Sequence, residues 1–249
     1  MKSKLLKNIV LVLALLLTNQ TYSQTCGFGC LCLSGVFGGY SIQQYEADGL
    51  NNYLSVLSTN DNQLNFKEGR GYKVGINLVR ADYGNFFFTF KGYYQFLSEE
   101  KEIKIDDGYG FDYTTSAKLK MDNWGIGLDL GIPFGSFVDW KIVEGELKFF
   151  RPSLSMNVSY NNPAANFLGF DNTYSPDKVK MGFSVGSGLI FNIVEDYISL
   201  EATGMYSFIE IDYLTNDDSG NKIPTETESK LVSKGGLQAV VQLNVGIPF

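Results

Sequence analysis

GGLQAVVQLNVGIPF, residues 235–249, decides the fold. Leu237, Ala239, Val241, Leu243, Val245, Ile247 and Phe249 occupy every second position, with Gly236, Gln238, Gln242, Asn244 and Gly246 between them. Only Val240 and Pro248 blur the second face. A period of two is that of a strand with one apolar face and one small, polar face. The strand runs to an aromatic end, and its meaning depends on what lies upstream.

Seven further stretches share the pattern. Leu33 to Tyr45 sets Val36, Tyr40 and Ile42 against Ser41 and Gln43. Gly71 to Val79 sets Tyr72, Val74, Ile76 and Leu78 against Lys73, Gly75 and Asn77. After a turn at Ala81 to Asn85, Phe86 to Leu97 sets Phe86, Phe88, Phe90, Tyr94 and Phe96 against Thr89, Lys91, Tyr93 and Gln95. Lys118 to Phe134 carries Trp124, Ile126, Leu128, Leu130 and Ile132 against Asn123, Gly125, Gly127, Asp129 and Gly131. Asp139 to Tyr160 is less regular; its second half reads as Phe150, Pro152, Leu154, Met156, Val158 and Tyr160 against Arg151 and a run of Ser and Asn. Val179 to Ile193 sets Met181, Phe183, Val185, Leu189 and Phe191 against Lys180, Gly182, Ser184, Gly186 and Gly188. Tyr197 to Leu214 sets Leu200, Ala202, Tyr206 and Phe208 against Ser199, Glu201, Thr203 and Ser207, and slips phase after Phe208, at a bulge or the end of the apolar zone.

The connections alternate long and short. Glu46 to Asn65 is long and holds Leu50, Tyr53, Leu54 and Leu57 at helical spacing, which predicts a short amphipathic helix in a packed loop. Ser98 to Asp112 is acidic, Asn161 to Pro176 is polar, and Thr215 to Ser233 is the last long loop. Short turns fall at Ala81 to Asn85, Pro133 to Ser136 and Val194 to Asp196. An even strand count with all long loops at one end is the arrangement of an up-and-down transmembrane β-barrel. Each apolar face also suits the ~9–11 residues that a strand needs to cross hydrocarbon. The expected fold is therefore all-β: an eight-stranded antiparallel transmembrane barrel over residues 33–249. Eight strands enclose room for side chains only, so a plugged lumen is expected.

Residues 1–24 read as a secretory signal. Lys2, Lys4 and Lys7 precede an apolar run from Ile9 to Leu17, too short for a membrane helix, and cleavage is expected near residue 24. Losing three lysines and no acid takes the net charge from −7 to −10, which argues against nucleic acid as a partner. Gly (27), Phe (19) and Tyr (15) are plentiful, as a barrel with aromatic girdles and a tightly packed interior requires. The three cysteines, Cys26, Cys30 and Cys32, fall in a short segment, residues 25–32, and read as local structural cysteines. With no histidine they make a weak zinc set, so neither metal nor cofactor is expected.

The signal, eight alternating strands, loop parity and terminal Phe249 together resemble the small outer-membrane barrels of the OmpA, OmpX and OmpW type, or PorT-like barrels. The resemblance covers the whole mature chain and is one of pattern. It implies a Gram-negative outer-membrane location and contact with lipid and lipopolysaccharide. It also implies insertion by the barrel assembly machinery, with Phe249 as the assembly signal. No peptidoglycan-binding domain is expected after Phe249.

Without histidine, no Ser-His or Cys-His nucleophile can be assembled, which removes the usual barrel enzymes. A carboxylate-only mechanism on Asp129 or Glu201 is the remaining catalytic route, and the expectation is no enzyme. With apolar faces turned to lipid, Lys73, Lys91, Asp129, Arg151, Lys180 and Glu201 are expected to form a charge network in the lumen, since buried charges must be paired. Tyr40, Tyr72, Phe96, Trp124, Phe134 and Tyr160 are candidate girdle residues. The acids of the long loops read as solvated charge. Two functions fit: a structural, binding or assembly-supporting barrel that supports other envelope proteins, or an OmpW-like narrow channel for small or apolar solutes.

Overall fold

The computed structural model describes residues 34–55, 64–106, 112–160, 170–194, 197–224 and 230–246. The signal segment, the three cysteines and Phe249 lie outside the described residues. Eight strands close a ring, each antiparallel to the next: β1 (Gly35–Glu46), β2 (Glu68–Asp82), β3 (Phe87–Gln95), β5 (Asp112–Pro133), β6 (Val138–Tyr160), β8 (Lys180–Val194), β9 (Ile198–Phe208) and β12 (Lys234–Gly246). β12 pairs with β9 on one side and with β1 on the other, from Gly35↔Gly246 to Glu46↔Lys234. Closure satisfies every edge, the condition for a sheet standing in lipid.

One end of the ring is made of tight turns. Between β2 and β3, Tyr83 donates to the Phe86 carbonyl at 2.9 Å, and Gly84 takes a φ of 78° beneath the Asp82 carboxylate. Between β5 and β6, Phe134 donates to Val138 at 2.7 Å, with Gly135 at a φ of 83°. Positive φ is cheap only without a Cβ, so glycine sits at both bends.

At the other end the strands continue past the ring. The acidic segment expected as a loop is strand β4 (Ser98–Asp106), and its register on β5 continues that of β3: Gln95↔Asn123 is followed by Ser98↔Lys120. Likewise β7 (Phe170–Ser175) pairs with the upper part of β6, then β10 (Leu214–Asn216) with β7 and β11 (Lys222–Ile223) with β10. Short strands thus lie within the three long connections after the first. Helix α1 (Asp48–Ser55) fills the space they enclose. Its Leu50 and Leu54 are fully buried with Leu64, Phe66, Leu97, Leu119, Phe150, Leu154 and Ile211. The helix expected in a packed loop is thus the centre of an apolar cap.

Side-chain polarity reverses along a single strand. In β5 the inward positions run Ala117, Leu119 and Met121, then Asn123, Gly125, Gly127 and Asp129. The outward positions change in the opposite sense, from Lys118 and Lys120 to Trp124, Ile126, Leu128 and Leu130. β6 does the same, with Phe150, Pro152, Leu154, Met156 and Val158 inward above and Glu144, Glu146 and Lys148 inward below. This corrects the expectation for β6, whose upper apolar face packs the cap and does not meet lipid. Above the reversal the protein is built like a water-soluble domain; below it, like a membrane barrel.

Candidate functional site

The lower half of the ring encloses a charged core. Lys73, Lys91, Lys141 and Lys148 meet Asp129, Glu144, Glu146 and Glu201, four cations against four anions, each side chain no more than 6% exposed. Lys73 pairs with Glu146, and Lys91 with Glu144 and, at 3.2 Å, Asp129. Lys141 touches three carboxylates: Glu144, Asp129 at 3.2 Å and Glu201 at 2.6 Å. Lys148 reaches Glu146 at 3.4 Å and donates to Gln238, while Tyr93 donates to Glu146 at 2.9 Å. Burying one such charge alone costs several kcal/mol, so the mutual pairing is the condition for having any of them here.

The wall makes room for these long side chains by placing glycine opposite them. Phe87, Lys91 and Tyr93 of β3 face Gly131, Gly127 and Gly125 of β5. A Cβ on Gly127 would stand 2.7 Å from Lys91 Cε, and one on Gly125 would stand 2.5 Å from the Tyr93 ring. The small inner face of β5 is thus the space that β3 occupies.

Layers above and below bound the ionic core. Above it, Gln95 donates to Ser41 at 2.6 Å, Asn123 to Gln95 at 3.3 Å, and Ser207 to Gln238 at 3.2 Å. The apolar cap follows directly. There Tyr45 donates to Glu99 at 2.6 Å, and burial beside that carboxylate holds its phenol well above the ordinary range. Below the core, Phe37 and Phe87 turn inward and Arg80 pairs with Asp139 at 3.2 Å. The carboxylate oxygens of Asp129, Glu144 and Glu201 lie within 4.8 Å of one another, a spacing that a divalent cation could use. The Lys141 ammonium contacts all three and supplies the positive charge there.

Of the six charges expected in the lumen, Lys73, Lys91, Asp129 and Glu201 point into it. Arg151 and Lys180 do not. Arg151 is exposed on the outer face of β6, because it stands above the polarity reversal, where the apolar face turns inward to the cap. Lys180 has the inward phase but stands above the core, at cap level opposite Phe150, and pairs with Asp212 at 2.9 Å near solvent. The sequence reading missed Lys141, Glu144, Glu146 and Lys148, all on the irregular first half of β6. The available signal was the alternation of Glu144, Glu146 and Lys148 just before Phe149 and Phe150.

The outside carries an apolar belt edged with rings. Leu237, Val241, Phe183 and Leu128 are about half exposed. On the rim next to the cap, Trp124 stacks on Phe149 at 4.0 Å and Phe183 on Phe208 at 4.3 Å, with Tyr72 and Phe96 also exposed. On the turn side, Tyr83 stacks on Phe86 at 4.7 Å, and Phe134 lies 6.2 Å from Trp140. Tyr40 and Phe134 are exposed as expected for girdle residues, while the Tyr160 side chain lies outside the described residues. Trp124 through Pro133 spans the belt, matching the ~9–11 residues of a crossing strand.

A closed ring of eight strands, an outward apolar belt between aromatic girdles and an interior filled with paired charge define a small transmembrane β-barrel of the outer-membrane type. No protein-family model and no curated protein sequence matches the chain. Among solved structures it is similar to Ail, the attachment invasion locus protein of Yersinia pestis, at 12% identity and a TM-score of 0.37, over 86% of this chain and 97% of that one. It is similar to Neisserial surface protein A at 8% identity and 0.40, over 86% and 97%. A major outer membrane protein from Thermus thermophilus overlaps it at 14% identity and 0.41, over 86% and 99%. The class rests on the ring and the belt of this chain, not on these likenesses.

Proposed function

We propose that the protein is a closed outer-membrane barrel with a structural, binding or assembly-supporting role, holding its capped end toward the outside of the cell. The observation that carries this reading is the neutral set of four lysines and four carboxylates under an apolar cap. A solute path through it would have to break several buried ion pairs at once. Asp129 and Glu201, the carboxylates offered for catalysis, are both held by Lys141, which supports a non-catalytic role. An OmpW-like carrier of apolar solutes needs an apolar lumen or a lateral gap, and the continuous pairing of the ring and the ionic core favour the closed reading.

The test is planar-bilayer conductance of the refolded full chain. Conductance at background level is expected, and steps of defined size would refute closure. The same proposal takes residues 1–24 as a cleaved signal and Phe249 as the mark read by the assembly machinery. It takes outer-membrane lipid, lipopolysaccharide and other envelope proteins as neighbours. N-terminal sequencing of the mature protein tests the first point. Outer-membrane yield after deletion of Phe249 tests the second.

A further inference from the structure

A pocket of about 510 Å³ opens on the flank of the cap where α1, β7, β10 and β11 meet. Small-molecule sites run from ~300 to ~1,000 Å³. Asn172, Asn216 and Asn221 line it with Tyr53, Tyr174 and Lys222. We propose that it binds the uncharged end of a saccharide. This names a ligand class for the binding role put forward above, and rests on that reading only for the side of the membrane it faces.

Three side-chain amides in one pocket set donors and acceptors side by side. Neighbouring sugar hydroxyls, each both donor and acceptor, match that array. Asn216 and Asn172 are held in advance. Asn216 Oδ1 accepts from the Asp218 and Ser219 amides at 3.1 and 2.7 Å and from the Ser219 hydroxyl at 2.9 Å, while its Nδ2 donates to Asn172 Oδ1 at 3.3 Å. Tyr53 is half-buried, and its hydroxyl lies 3.4 Å from that of Tyr174. Burial and this neighbour push the Tyr53 phenol up to about 12, so it stays a neutral hydroxyl in any physiological medium. Its ring adds an apolar surface for the C–H face of a sugar.

A polyanion fits less well. Among the described residues Lys222 is the one cation of the lining, and its ammonium sits 3.9 Å over the Tyr213 ring. Asp217 and Asp218 are exposed in the adjoining turn.

The test uses the full chain, refolded in detergent and fluorescently labelled, on an array of immobilised oligosaccharides. The array carries glucose-, galactose- and N-acetylglucosamine-terminated members beside sialylated and sulfated ones. Binding to neutral termini is expected, weakened about tenfold or more in Asn172→Ala and in Asn221→Ala, roughly one hydrogen bond each. Lys118→Ala, on the outer face of β5, should bind as the parent does. Heat-modifiable migration identifies variants that keep the barrel, and either asparagine variant alone suffices. No bound spot, binding confined to sialylated or sulfated members, or binding indifferent to both asparagines would each overturn the proposal. A closed barrel that binds no array member sinks this inference alone, whereas a conducting barrel that binds neutral termini sinks the closed-lumen reading alone.

Discussion

Lys141 and Glu144 stand three residues apart on one strand, yet their side chains meet inside the barrel. In a regular strand they would point to opposite faces. The register of β6 on β8 jumps between Lys141 and Glu144, leaving Ile142 and Val143 both exposed on the outside. One bulge therefore delivers two charges to the lumen that strict alternation would have separated. Lys141→Met should destabilise the barrel by roughly 3–5 kcal/mol, since three carboxylates lose their common partner. Urea unfolding in micelles, followed through Trp124 and Trp140, measures it. Adding Glu144→Gln should recover part of the loss, and a double variant no better than the single one counts against the network.

Arg151 and Lys148 test the phase of β6. Arg151→Ala should change unfolding by no more than ~0.5 kcal/mol, as exposed substitutions do. Lys148→Ala leaves Glu146 with Lys73 as its only ammonium and should cost roughly 3 kcal/mol or more. Equal effects from the two would contradict the inward Lys148 and outward Arg151 of β6.

Much of this arrangement is written in the sequence. Alternation identified the eight ring strands, because lipid outside and small residues inside are opposite demands repeated every second position. The cap was harder to read for the same reason. Above the belt, apolar inward and polar outward restores the soluble pattern, so Leu154 and Met156 looked like lipid-facing residues. β4 looked like a loop because Glu99 to Glu102 are all charged. As an extension of β3 above the membrane it needs only one covered face, and Glu100 pairs with Lys118 at 2.8 Å across the hairpin. The first half of β6 was unreadable by period alone, since a bulge has no fixed sequence signature.

Gly127→Val places a side chain where Lys91 passes, within 2.7 Å of its Cε for the Cβ alone. Lys91 must then leave Asp129 and Glu144. The expected outcome is loss of the heat-modifiable folded band on cold gel electrophoresis. Gly145→Ala has nothing within 4 Å of the new methyl and should fold normally.

Leu50→Ala and Leu54→Ala each empty a fully buried site in the cap and should cost about 2–5 kcal/mol locally. The ring below has its own polar core, so the loss should appear as faster proteolysis of the capped end while the folded band persists. Collapse of the whole barrel would mean that cap and ring form one cooperative unit.

The reversal of polarity between Met121 and Asn123 also fixes how deep the protein stands. Sliding the barrel outward by one pleat would lift Trp124 into water; sliding it inward would draw Lys120 and Arg151 into hydrocarbon. Both moves are uphill, and β5 and β6 oppose them at the same height because on the outer face Asp122 pairs with Arg151 and Trp124 with Phe149. The chain carries its own waterline, drawn through two neighbouring strands.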